Sequence, residues 1–179
     1  FIIMKANQEG TEWLQEADRD ASYQEYAIDV TGGSEDSRYS FMANYLNEEG
    51  VLMHTGYKRY NVRSNVTFNP TDWLEIGEKA GVTYSNDWGQ QTTRARWSIA
   101  GQFYRMQPIV PVYDVMGNFA GTRAPSTGNG SNPIAELYYD RNNGDESLDV
   151  SGNTYAQVTI IEGLSLKSLF GLNYGSSNG

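Results

Sequence analysis

The sequence predicts an all-β chain, about six antiparallel strands that form part of a transmembrane β-barrel with a long extracellular loop. Three observations carry this. Runs such as "RYSFMANY" and "RYNVRSNVTF" place an apolar or aromatic residue at every second position, Ser64 excepted, the period of a strand with two unlike faces. The connections alternate between short, as in "TGGSEDS", "NPTDW" and "EGL", and long, at 46–57 and 86–152. That order suits a barrel with short turns on one side of a membrane and long loops on the other. The expected strands run about 9–12 residues, enough to cross a bilayer at a tilt and longer than the usual strand of a soluble sheet.

Composition agrees. The 179 residues include 13 Tyr and 19 Gly, a bias toward strands and turns. A formal charge of −9 argues against a nucleic-acid partner, whose phosphates need a basic surface. There is no Cys, hence no disulfide framework and no thiolate metal site. No apolar run reaches the roughly 18 residues of a transmembrane helix. The chain opens on Phe1 with no visible leader, so the expectation is a piece of a longer polypeptide.

Residues 1–22 read as a loop with a short surface helix in "TEWLQEADRD", where Thr11 is placed to cap the start. Residues 23–85 read as two barrel-wall hairpins. Their apolar rows are Tyr26, Ile28 and Val30; Tyr39, Phe41, Ala43 and Tyr45; Tyr60, Val62, Val66 and Phe68; and Leu74, Ile76, Ala80, Val82 and Tyr84. The opposite rows hold Glu25, Asp29, Asn44, Arg59, Arg63, Glu75 and Lys79. Glu78 breaks the pattern by falling in the apolar row, which places it near an interface, beside a bulge, or in a strand read one residue out of register. Residues 86–152 read as the long extracellular loop. Within it "PVYDVMGNFAG" forms a small hairpin turning at Met116-Gly117-Asn118. Residues 153–179 close the chain as a last barrel hairpin. Ala156, Val158 and Ile160 face the same way on one strand, as do Leu164, Leu166, Phe170 and Leu172 on the other. The alternative, a secreted β-sandwich acting as a carbohydrate-binding module or a surface adhesin, would show the same alternation, with its apolar rows packed on a second sheet instead of on lipid.

"SGNTYAQVTIIEGLSLKSLFGLNY" resembles a late barrel segment of the SusC/RagA-type TonB-dependent outer-membrane transporters. "TEWLQEADRD", the "GGSEDS" turn and "YKRY" are similar to that family's early barrel, and "PVYDVMGNFAG" and "NPIAEL" to its loops. The resemblance covers roughly residues 11 to 174. It implies a fragment of a barrel of about 22 strands in the bacterial outer membrane, set in lipid. It also implies uptake of oligosaccharides or peptides, a SusD-like surface lipoprotein as lid, and coupling to the TonB complex through an N-terminal part that this sequence does not show.

No catalytic constellation is present, so no enzyme and no cofactor is expected. His54 is the single histidine and reads as an exposed loop residue. "DRNNGDESLD" offers Asp140, Asn142 and Asp145 as a weak calcium-type candidate, but its spacing departs from the helix-loop-helix calcium loop, and no metal is expected. Asn65-Val-Thr67 and Asn129-Gly-Ser131 match the glycosylation triplet, which has no meaning in a bacterial barrel. The long loop concentrates rings and cations: Trp88, Trp97, Tyr104, Tyr113, Tyr138 and Tyr139 are the candidate substrate-binding residues, with Phe103, Phe119, Arg94, Arg96, Arg105 and Arg123 around them. Ring faces stack on sugars or hold peptide side chains.

Overall fold

A computed structural model of the chain describes residues 8–89, 98–122 and 126–179. It divides into two compact units, one made of the six strands and one of the intervening segments.

The strand unit is a single antiparallel sheet in sequence order β1-β2-β3-β4-β5-β6. The strands are β1 (Tyr23–Gly33), β2 (Ser37–Glu49), β3 (Gly56–Thr71), β4 (Leu74–Trp88), β5 (Glu146–Ile161) and β6 (Leu164–Asn178). They run 11 to 16 residues, longer than the sequence pattern suggested. β2 continues to Glu49, which leaves only residues 50–55 between it and β3. β5 starts at Glu146, seven positions before the strand expected from 153. The reason is register. Residues 146–152 carry little apolar signal, yet they lie opposite 80–86 of β4, and backbone pairing extends the strand without help from side chains.

Pairing places the apolar rows on one face. Tyr26 lies opposite Tyr45, Ile28 opposite Ala43, and Val30 opposite Phe41. Leu74, Ile76 and Val82 lie opposite Val158, Ala156 and Val150, and the row continues into Leu166, Leu172 and Tyr174 of β6. These rows are open. Ile28 is 66% exposed and Phe170 75%, and among the described residues no second sheet covers them. The sandwich alternative therefore fails within this chain.

Four tyrosines form a level band across this face. The ring centroids of Tyr26 and Tyr45 are 6.2 Å apart, those of Tyr45 and Tyr60 5.0 Å, and those of Tyr60 and Tyr84 6.3 Å. From Leu74 to Tyr84 is ten residue steps, or roughly 33 Å along the strand and about 25 Å in height at a 40° tilt. That height equals the apolar band of an outer-membrane barrel, with the tyrosines as one girdle and Trp73 and Phe68 toward the other.

The other face is polar and internally bonded. Glu25 accepts from the Tyr23 hydroxyl at 2.8 Å and from Asn44 at 3.1 Å. Asn61 donates to Thr83 at 2.6 Å, and Ser85 and Ser147 share a hydrogen bond of 2.8 Å. The Tyr155 hydroxyl donates to Glu75 at 2.9 Å, and its ring occupies the space beside Gly77, where any Cβ would collide with it. Glu78 resolves as a true member of the apolar face. It lies opposite Thr154 in unbroken register, exposed, with neither a bulge nor a slipped register to account for it.

The second unit has its own core of Trp13, Ala17, Ile99, Met106, Val110, Ala120, Ile134 and Leu137. Its helices are α1 (Trp13–Ala17), α2 (Ile99–Arg105) and α3 (Pro133–Tyr139). The expected surface helix at α1 is corrected here: Trp13 and Ala17 are buried. Thr11 does not cap it either. Its hydroxyl donates instead to Val110 O at 2.8 Å, which ties the segment to the core.

The two faces make a direct prediction. In the full-length protein, Val66→Arg places a charge in the apolar row and should cost about 2–4 kcal/mol of folding stability. Asn61→Arg, on the polar face, should cost about 1 kcal/mol through the lost bond to Thr83. Urea titration of the folded barrel on semi-native gels reads the difference; equal costs would refute the assignment of faces.

Candidate functional site

The second unit gathers rings from three separate stretches of chain. Asn132 makes this possible. Almost fully buried, it caps α3 by accepting from Ile134 N at 3.0 Å and Ala135 N at 3.2 Å. Its amide donates to Val112 O and Ala120 O, each at 2.9 Å. One side chain thus starts a helix and clamps both ends of the 112–120 turn. Pro133 follows at the first helical position, where its missing N–H costs nothing. Ile134 and Leu137 point into the core, which leaves Tyr138 and Tyr139 at the exposed end of α3.

The turn between those clamps brings Tyr113 opposite Phe119 in a single antiparallel bridge, a smaller object than the hairpin expected from the sequence. Gly117 sits at φ +83°, a conformation that side chains resist. Asp114 organises the turn: its Oδ1 accepts from Met116 N at 2.8 Å and Asn118 N at 2.9 Å. The Asn118 N–H is the main reason its carboxyl titrates below the ordinary aspartate range, with partial burial opposing.

The third stretch is 50–55. Arg19 pins it by donating to Gly50 O at 3.1 Å and Thr55 O at 2.9 Å. This holds His54 at φ +63° with its imidazole edge-on to Tyr138, centroids 6.2 Å apart. Phe119 sits at the centre of the cluster, 5.3 Å from Tyr113, 5.5 Å from Tyr138 and 5.8 Å from Tyr139. The Arg141 guanidinium covers the Tyr138 ring at 4.0 Å and donates to Tyr138 O. Tyr139, at 69% exposure, and Tyr113 present the most open rings. The result is an exposed aromatic platform with one cation and one imidazole at its edge, suited to stacking and to holding a polar ligand group.

Of the six ring residues expected to bind substrate, the structure brings Tyr113, Tyr138 and Tyr139 together. Tyr104 is 88% exposed on α2, outside the cluster. Trp88 belongs to the end of β4, where its ring packs on the Gly56 backbone. Trp97, with Arg94, Arg96 and Arg123, lies outside the described residues. His54 is corrected from an exposed loop residue to a half-buried ring partner. Arg141 went unread, although Tyr138 and Arg141 stand three apart at a helix end, a spacing that puts side chains side by side. Asp140 of the calcium candidate accepts from Asn143 at 2.9 Å, and among the described residues no three of His, Asp and Glu are set to hold a metal.

No protein-family model matches the chain. TonB-dependent receptor P26 of Formosa agariphila is 26% identical over 150 residues, covering 84% of this chain and 14% of that protein. TonB-dependent receptor P3 of the same organism is 24% identical over 168 residues, covering 91% of this chain and 16% of that protein. The chain therefore spans only a small part of the length of these relatives. Among solved structures it is similar to the RagAB peptide importer in its open-open state, with TM-score 0.75 and 22% identity over 98% of this chain and 20% of that one. The closed-closed state gives TM-score 0.73 over the same shares. At that identity the likeness is one of fold, and it runs through wall and intervening segments alike. The chain is thus similar to a part of these TonB-dependent receptors and has the fold of a stretch of the importer barrel. An outer-membrane location follows, as strand length and loop alternation had implied.

The depressed Asp114 carboxyl gives the turn of this segment a pH dependence. A group lowered on folding stabilises above its unfolded value, near 3.9, and loses that contribution as pH falls through its folded value. The 113–119 turn should thus be ordered at neutral pH and loosen below about pH 4. In the full-length protein, protease nicking of the turn should rise there, and Asp114→Ala should nick readily at every pH.

Proposed function

We propose that this chain is the wall and extracellular-loop portion of a TonB-dependent outer-membrane nutrient importer of the SusC type. The observation that carries the proposal is the six-stranded sheet with one open apolar face, superposing on an importer barrel over 98% of the chain. In this reading the full-length protein takes up oligosaccharides or peptides. A SusD-like surface lipoprotein closes over the loops, and TonB-driven displacement of a plug lets the solute through. The segment itself performs no covalent chemistry.

Tyr113, Tyr138 and Tyr139 serve as the ligand-facing rings, with Phe119 holding them and Arg141 and His54 at their edge. Tyrosine fits this role because it offers a large amphipathic surface with few rotatable bonds to freeze. A stacking platform tolerates variation along the ligand, as an importer of oligomers requires. Trp88 and Tyr104 remain secondary candidates, and Trp97 is one on the sequence alone.

The test is uptake by cells carrying the full-length receptor. Tyr138→Ala with Tyr139→Ala should weaken solute binding by about 1.4–2.8 kcal/mol, tenfold to a hundredfold, while the barrel reaches the outer membrane in normal amount. Collapse of the proton-motive force should abolish accumulation in the parent. Uptake that survives the collapse, or a chain that folds as a soluble monomer without detergent, would overturn the proposal.

A further inference from the structure

The polar face of the sheet holds a feature that the aromatic platform does not explain. Pairing aligns Lys79 with Asn153 and Gly171 in one row, and Gly81 with Ser151 and Asn173 in the next. The Arg63 side chain reaches in from β3, where a Cβ on Gly81 would stand 3.7 Å from its Cγ. Between them lies a depression of about 380 Å³. Its floor is bare backbone, because Gly81 and Gly171 contribute no side chain. Glycine weakens a strand interior and commonly marks a place where something else comes close to the backbone.

Both cations are exposed, and among the described residues neither has a hydrogen bond or ion pair. Lys167, on the same face, differs: its ammonium sits 3.6 Å from the Tyr155 ring centroid. In a chain of net charge −9, two uncompensated cations beside a glycine floor make a local site of opposite sign.

We propose that this depression is a carboxylate-binding station on the lumen wall and that the solute is an acidic oligomer. The inference rests on the importer reading and adds the class of solute. Arg63 supplies a planar fork matched to a carboxylate, and Lys79 a mobile point charge. Asn153, Asn173 and Ser151 supply the neutral donors and acceptors that orient the rest of the ligand. The glycine floor lets a ligand chain lie flat. Exposed charges of this kind bind weakly and reversibly, which a transit station needs, and a lumen lined by low-dielectric walls concentrates their field. The carboxylate comes from an acidic peptide or from a uronate-bearing oligosaccharide, and the assay separates the two.

Full-length receptor in detergent micelles is titrated with hexaglutamate and with hexagalacturonate, against hexaglycine and maltohexaose as neutral counterparts. At least one acidic oligomer should bind more tightly than its neutral counterpart. Arg63→Gln with Lys79→Gln should weaken it by about tenfold, as should about 0.5 M salt. Lys167→Gln should leave affinity within about twofold, since its charge serves Tyr155. Circular dichroism and heat-modifiable gel mobility confirm that the double variant is folded. A carbodiimide then activates the probe carboxylate. The Lys79 amine attacks it to form an amide, the reagent leaves as its urea, and mass spectrometry locates the new bond. The proposal falls if neither acidic oligomer outbinds its neutral counterpart, if the double variant binds normally, or if Lys79 couples instead to an Asp or Glu of the receptor itself. A receptor that needs Tyr138 and Tyr139 for TonB-dependent uptake yet ignores both acidic probes keeps the importer reading and loses this one.

Discussion

Hydrocarbon offers a peptide group no hydrogen bond, so a strand that enters it must satisfy its N–H and C=O groups in neighbouring strands. Each unpaired group costs several kcal/mol. The architecture of the strand unit follows. Strands of 11 to 16 residues pair along their lengths in strict antiparallel order, and side chains fall alternately to two solvents. β1 and β6 each have one neighbour in the sheet, so in a membrane it persists only when further strands take both edges. The same constraint explains why the apolar rows stay uncovered by protein. Ile28, Leu166 and Phe170 are exposed because lipid is the phase that receives them.

Much of this was legible in the sequence because period two is a strong signal wherever the two faces differ. The rows built on Tyr26, Tyr45, Tyr60 and Tyr84 read correctly, as did the short turns. Strand ends were less legible. Residues 146–152, "ESLDVSG", hold little apolar contrast, and their strand comes from pairing with residues distant in sequence. Gly32 and Gly33 look like a turn, yet they complete β1, with the Tyr39 ring over Gly32 compensating its missing side chain. The intervening segments were least legible. The short helices carry weak periodicity, and their burial depends on contacts such as Thr11 to Val110 across nearly a hundred residues.

The aromatic platform shows how a loop acquires a defined surface without regular structure. Its order descends from a few saturated polar groups. Asn132 spends both amide hydrogens and its oxygen on backbone partners, and Arg19 holds the 50–55 connection by its carbonyls. Once those are set, Phe119 has one place to go and the tyrosines pack around it. Ring identity was visible in the sequence, but membership in the cluster was not. Tyr104 and Tyr139 look equivalent as residues; among the described residues one, on α2, has no ring partner, and the other packs on two rings, Phe119 at 5.8 Å and Tyr138 at 5.7 Å.

Glu78 shows where the two-solvent rule bends. It lies four residues above Leu74 and six below Tyr84, near the middle of the apolar band by strand arithmetic, and its register with Thr154 is unbroken. Beside it a shallow groove of about 150 Å³ opens where Ala80, Gly152 and Thr154 are small and Phe170 and Leu172 form a wall. On the lipid face of a barrel, Asp and Glu cost less than the roughly 2–4 kcal/mol of a mid-depth Arg or Lys. A long wall of well-paired strands absorbs one such cost without losing its fold. An apolar row is therefore a statement about the sum of its side chains, and register is set by the whole row even where one member contradicts it.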